Sequence, residues 1–322
     1  MADGDRYGYG YGENKPGNPS VAYAAQTQLK DIQKRLPLRV LSPEDWKHWT
    51  TFGFVIVKNA VPTENTVQLR DLLWEFQEAD PKDQATWYKP QLRQNEMKEL
   101  NNSGMVEIYN HPLLWANRQK RRIYDAFVDI WDREDLWVTI DRANFNPPNR
   151  NARGFNGFIH NDVDTRLDPL PVNVQGVLSL VDTDPEMGGF QCVPELFRTL
   201  DDWRKAQPKD RNGFIPEIAG FDIVNVTMQA GDLLIFNSLL AHGIRPNRSA
   251  DRVRMAQYIS MTPADEENEQ LREWRIKSWR DREAPKGYAF PGDPRNWEQT
   301  RYPRAELGPL GEKLLGLKKW KA

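Results

Sequence analysis

Gln229-Ala230-Gly231-Asp232-Leu233-Leu234-Ile235-Phe236-Asn237-Ser238-Leu239-Leu240-Ala241-His242-Gly243 is the stretch on which the reading of this chain turns. Its first four residues carry glycine and aspartate where a tight turn needs them. The unbroken apolar run 233–236 that follows has the length of a strand, not of a helix. A further apolar pair, Leu239-Leu240, leads to His242, a polar ring delivered from an apolar strand region. Working outward, short β-rich runs alternate with turn residues at 137–145, 157–162, 172–181, 189–193 and 223–228 before this stretch and at 254–261 after it. Closely spaced short strands predict a mainly β fold with flanking helices, a sandwich, barrel or jelly roll. Upstream, Ser42-Pro43-Glu44-Asp45 has a helix N-cap, a proline at the first helical position and an acid closing a capping box, so a helix is expected from 43 to about 51. A strand over 53–58, a helix opening at Pro62-Thr63-Glu64 and a helix over 114–131 complete the entry. After Pro263, residues 265–282 run from acidic to basic as a helix aligned with its dipole would, and a short helix is expected near 310–317. The organisation read from this is a flexible N-terminal arm over 1–36, Gly- and Tyr-rich in its first 20 residues, a domain over 37–263, and a C-terminal segment over 264–322 packed on that domain.

The chain has 322 residues with 44 Lys and Arg against 46 Asp and Glu, a net charge of −2, so nothing draws a phosphate backbone to the molecule as a whole. Nucleic acid is therefore not an expected partner. A single cysteine, Cys192, excludes an intramolecular disulfide and a thiolate zinc cluster, which suits a reducing, cytoplasmic setting. No stretch approaches the roughly 18–20 apolar residues of a membrane span, and the N-terminus lacks the apolar core of a signal peptide. Four histidines, His48, His111, His160 and His242, are all that a site needing imidazole can draw on. Of these, His48 lies in a helix beside Trp46 and Trp49, and His111 precedes Pro112; packing roles are expected for both.

His160-Asn161-Asp162 ends an expected strand, and a period of two puts His160 and Asp162 on one face. Any surface histidine beside an acidic loop gives the same pattern, so the pair carries weight only with further elements. His242 supplies a second imidazole and Arg254, on the next strand, a cation. Two histidines and a carboxylate on one face of a metal leave three positions open, the arrangement of non-haem Fe(II) oxygenases. A chelating keto acid with a second carboxylate needs a guanidinium at a set distance from the metal, a role for Arg254, with Arg252 a rival of the same strand parity. On the strand from Val174, Gln175 and Ser179 share a face and are candidates for hydrogen bonds to the same cosubstrate, or for pairing with backbone. Asp141 and Arg142 alternate, so only one faces inward. Cys192, in an apolar strand, is expected to be an inert core thiol.

These segments, together with Val174 to Thr183, Gly188-Gly189-Phe190-Gln191-Cys192-Val193-Pro194, Ala230-Gly231-Asp232 and His242-Gly243 through Asn247-Arg248-Ser249 to Arg254, resemble the successive motifs of the phytanoyl-CoA dioxygenase family over roughly residues 40–263. The resemblance implies a double-stranded β-helix (cupin-like jelly roll), with His160, Asp162 and His242 binding Fe(II) and Arg254 binding the far carboxylate of 2-oxoglutarate. It implies a dioxygenase that uses O2 and 2-oxoglutarate to hydroxylate or otherwise oxidise a small organic metabolite, releasing succinate and CO2. Halogenating relatives replace the ligand acid by a small residue, whereas Asp162 is retained here, which favours hydroxylation. One departure is Pro194-Glu195-Leu196-Phe197, where many members continue with Gly-Ser-His or Gly-Phe-His. Two other readings compete: a catalytically silent jelly-roll binding protein, and a cupin-like metalloenzyme without a keto acid. Neither gives Arg254 a use. No concentrated basic cluster marks a coenzyme A phosphate site, so a free metabolite is expected as the partner. The tryptophans of the tail, Trp274, Trp279, Trp297 and Trp320, are expected to dock it on the domain, with a lid or a homodimer contact as alternatives.

Overall fold

The computed structural model describes residues 18, 20, 29, 32–88, 104–149, 157–285 and 289–320. Most of the expected N-terminal arm lies outside these. The part of it that is described is tied down. The Asn18 amide donates to Asp141 Oδ2, Ser20 Oγ accepts from Ile140 N, and the backbone N–H groups of Arg35 and Leu36 both donate to Asp132.

Helix α1 (Pro43–Phe52) begins with the expected capping box, Ser42 accepting from Asp45 N while the Asp45 carboxylate accepts from Ser42 N, an exchange that contributes about 1 kcal/mol. Strand β1 (Phe54–Val57) and helix α2 (Thr63–Phe76) follow as expected. Strand β2 (Met105–Val106) comes next. The single helix expected over 114–131 is two, α3 (Pro112–Arg118) and α4 (Arg121–Trp131). Helix α4 buries Ile123, Phe127, Val128 and Ile130, roughly 1.5–3 kcal/mol for each side chain removed from water. The run 137–145 likewise divides, into β3 (Leu136–Val138) and β4 (Ala143–Asn146). Then come β5 (Val174–Ser179), β6 (Gly189–Cys192), the short helices α5 (Pro194–Arg198) and α6 (Leu200–Ala206), β7 (Val224–Asn225), β8 (Leu233–Asn237), β9 (His242–Arg245), β10 (Arg254–Tyr258) and β11 (Met261–Pro263). The chain closes with α7 (Glu269–Asp281), α8 (Trp297–Thr300) and α9 (Pro309–Leu315).

All strand pairings are antiparallel. A six-stranded sheet has the order β1-β8-β5-β10-β4-β2, a three-stranded sheet the order β7-β6-β9, and β11 pairs with β3. The two larger sheets pack face to face. Phe190 of β6 meets Phe236 of β8 with ring centroids 4.7 Å apart, and Gly189 lies against the Arg254 side chain of β10. The opposite face of the six-stranded sheet is covered by helices: a Cβ at Gly176 on β5 would lie 3.1 Å from Phe127 of α4 and 2.1 Å from Ile259 O, so only glycine fits that approach. The turn before β8 is built as its residues suggest. Gly231 takes φ +93°, and the buried Asp232 carboxylate accepts from Gln229 N and from Lys58 Nζ at 2.8 Å, joining the turn to the end of β1.

The C-terminal segment docks on this frame through its aromatic and basic side chains. Trp279 Nε1 donates to Ala305 O, Trp320 Nε1 donates to Leu136 O, and Trp297 lies between the guanidinium groups of Arg295 and Arg301. Among the described residues no helix is long and apolar enough to cross a membrane.

Candidate metal centre

His160 stands directly opposite His242 as an antiparallel pair. His160 N donates to His242 O at 2.8 Å, and His242 N donates to His160 O at 2.9 Å. The segment 157–160 thus lies along β9, and its approach is close: a Cβ on Gly243 would sit 1.7 Å from Phe158 O. The glycine after His242 is therefore a steric requirement of placing the two histidines side by side. His160 and Asp162 were expected to share a strand face, but only His160 makes a ladder contact; Asp162 follows in a bend.

The ligand atoms available from His160, Asp162 and His242 all lie within 4.8 Å of one another. His160 Nε2 is 3.2 Å from Asp162 Oδ1, and His242 Nε2 is 3.6 Å from Asp162 Oδ2. His242 Nδ1 lies 2.8 Å from Leu240 O. A carbonyl only accepts, so this nitrogen carries the proton, and in the neutral ring the lone pair is on Nε2, facing the other two groups. Burial and then the His242 charge hold the His160 imidazole well below its ordinary pKa, which keeps that ring neutral and able to ligate. Burial pushes the Asp162 carboxyl up, against opposing effects of His242 and Gln175. Two imidazoles and a buried acid in one place form a donor set that suits a divalent metal. Phe190 and Phe236 pack on the His242 ring at 5.4 and 4.5 Å, while side-chain exposure is 22% for His160 against 8% for His242, so solvent reaches the cluster from the His160 side.

Arg254 is buried deeper, on the inner face of β10. Its Nη1 donates to Asn144 Oδ1 at 3.0 Å, its stem lies by Gly189, and among the described residues it has no carboxylate partner. Burial pulls its pKa down, while the adjacent Tyr258 hydroxyl opposes that shift. The Tyr258 hydroxyl is itself buried beside the guanidinium, which is its charged neighbour. The loop delivering β10 is organised by Asn247, whose amide donates to Asn146 O and Arg252 O and whose Oδ1 accepts from Ser249. That accounts for the Asn-Arg-Ser sequence after His242-Gly243.

The remaining candidates separate clearly. Arg252 is at the surface, paired with Asp184 at 2.5 Å and Glu186 at 3.1 Å, and does not face the cluster. Gln175 donates its amide to Asp162 Oδ2. Ser179 Oγ donates to Val181 O at 2.8 Å and lies 3.3 Å from Thr183 Oγ1, which realises the backbone-pairing alternative. Of Asp141 and Arg142, the arginine goes inward, paired with the buried Glu107 at 2.8 Å. His48 packs on Phe52 and Phe54, and His111 caps α3 by accepting from Leu113 N. Cys192 is buried, its thiol pushed up to about 12. Tyr258 and Asn144 were not singled out from sequence, although Tyr258 shares the strand parity of Arg254.

Two imidazoles and a carboxylate between antiparallel sheets are the donor set of mononuclear non-haem iron oxygenases. The phytanoyl-CoA dioxygenase family model matches residues 49–256, and the chain belongs to that family. The "Ava biosynthesis cluster protein O" of Aspergillus versicolor is 22% identical over 243 residues, covering 68% of this chain and 77% of that protein. A Dictyostelium discoideum protein named "Putative phytanoyl-CoA dioxygenase" is 23% identical over 283 residues, covering 72% and 80%. Among solved structures, GlcNAc Inducible Gene 2 (GIG2) of Candida albicans superposes with a TM-score of 0.60 at 12% identity, over 86% of this chain and 76% of that one, a likeness of fold.

Proposed function

We propose that this chain is an Fe(II)- and 2-oxoglutarate-dependent dioxygenase, built on a double-stranded β-helix, that hydroxylates a small organic metabolite. The observation that carries the reading is the pairing of two groups in one interior: the His160, Asp162 and His242 donor cluster, and the buried Arg254 guanidinium held by Asn144 on the facing sheet. A metal bound by the first and a dicarboxylate spanning both would join them.

In this reading His160, Asp162 and His242 hold the iron. Arg254 takes the far carboxylate of the keto acid, with the adjacent Tyr258 hydroxyl as a second donor and Asn144 fixing the guanidinium. Bound iron and 2-oxoglutarate supply oxygen activation coupled to decarboxylation, giving succinate and CO2 and an oxidised product. The protein contributes placement and dryness: Phe190 and Phe236 shield the His242 side, and access from the His160 side is where substrate would arrive. Retention of Asp162 leaves no vacated ligand position for chloride, which supports hydroxylation over halogenation. The name of the Aspergillus versicolor relative, which ties that protein to a biosynthesis cluster, supports a metabolite as substrate. A lone buried cysteine and an oxidation-prone Fe(II) site suit a reducing cytoplasm.

Anaerobic reconstitution with Fe(II) followed by 2-oxoglutarate tests this. A weak visible charge-transfer band that disappears in His242→Ala is expected. Its absence from folded, iron-loaded protein would overturn the keto-acid reading.

A further inference from the structure

Gln175 is a polar side chain of the six-stranded sheet that touches a ligand residue of the cluster. It stands on β5, opposite Phe236 of β8, and its amide donates to Asp162 Oδ2. The other oxygen, Oδ1, faces His160 Nε2 at 3.2 Å. Oδ2 also lies 3.6 Å from His242 Nε2, so each oxygen faces an imidazole, and the two differ in that Oδ2 alone also accepts from an amide N–H.

We infer that Gln175 is a positioning residue that holds Asp162 to coordination through one oxygen. This rests on the proposed function above. A carboxylate can bind a metal through one oxygen or two. With both histidines bound, a two-oxygen Asp162 would leave two positions of an octahedral metal, and a chelating keto acid would fill both. Held to one oxygen, Asp162 leaves three, two for the keto acid and one for dioxygen. The amide of Gln175 also fixes the carboxylate plane from the opposite sheet, as groups behind a metal ligand commonly do. A direct contact between Gln175 and the keto acid, the other use its strand face allows, would draw on the second amide N–H and would act only once the keto acid is bound.

The two roles differ in what Gln175 does before any keto acid is present. Full-length protein would be loaded anaerobically with Co(II), whose absorption bands report coordination number, and then titrated with 2-oxoglutarate. Gln175→Leu removes the donor, and Gln175→Glu keeps the shape while replacing the donor by an acceptor. Thermal melting of the metal-free proteins identifies a variant that has lost its fold. In folded variants the Co(II) bands are expected to shift before 2-oxoglutarate is added, with Co(II) affinity changed by about 10- to 100-fold, the usual range for groups behind a ligand. Wild-type Co(II) bands in both variants, with only the 2-oxoglutarate titration altered, would overturn the inference and make Gln175 a cosubstrate contact. Failure of the wild-type protein to bind Co(II) would instead overturn the metal-centre reading, and the inference with it.

Discussion

Arg275 and Arg254 are both buried guanidinium groups, and their surroundings are opposites. Arg275, on α7, donates to Val138 O at 2.7 Å, Leu314 O at 2.9 Å and Leu315 O at 3.0 Å, and also to Ser20 O. It ties the C-terminal helix α9, strand β3 and the N-terminal segment into one packed region. Arg254 has one amide oxygen at 3.0 Å and the Tyr258 hydroxyl beside it. A buried charge that serves the fold is surrounded by acceptors, because each unmet donor costs stability. One that serves a ligand is left with fewer fixed backbone acceptors, as Arg254 is.

The largest effect that would break this contrast is expected at Arg275. Arg275→Met leaves several buried carbonyls without a donor and should cost about 4 kcal/mol, read as a lower midpoint in urea denaturation. An unchanged midpoint would remove Arg275 from the architectural side. Arg254→Met should do the reverse. Unfolding stability should stay level or rise, because an uncompensated charge has left the interior, while 2-oxoglutarate affinity falls by roughly 100-fold, about 3 kcal/mol. Comparable loss in Arg252→Ala would contradict the structure, where Arg252 is a surface partner of Asp184 and Glu186 and its removal should cost less than about 0.5 kcal/mol.

Acid sharpens the same contrast from the packed side. His111 is buried against Tyr302 of the C-terminal segment and accepts from Leu113 N, and burial lowers its pKa from 6.5 to about 4. The folded value lies below the unfolded one, so the unfolded chain takes up the proton first as pH falls. Stability is whole above pH 6.5 and declines between 6.5 and about 4, by up to roughly 3 kcal/mol in total. His111→Asn keeps a helix-capping side chain and should flatten that part of the pH–stability curve. An unchanged curve would show that another group carries the acid sensitivity.

Much of this was legible in the chain itself, and the failures are instructive. The capping box at Ser42 and Asp45 and the run of β8 were readable because their partners lie within a few residues. The broken helix at 119–120 was hidden, since the apolar positions on both sides continue as if one helix ran through. Strand 137–145 splits for a tertiary reason. Its first half pairs with β11 and its second with β10, so the pairing changes partners between them. The use of Gln175 was likewise out of reach, because its acceptor belongs to a bend 13 residues earlier and on the facing side of the interior.

Sequence alone determined the chemical inventory: His160, Asp162, His242 and a basic residue on the following strand, set among short strands with apolar alternation. Those features depend on residue type and short spacing, which a linear reading preserves. Tertiary structure decided which atoms meet. It turned Arg254 inward and Arg252 out, chose Arg142 over Asp141, and set Gln175 on Asp162. Such choices depend on where a strand begins, since Arg252 lies before β10, on register, where a shift of one residue exchanges the buried face for the exposed one, and on packing between two sheets.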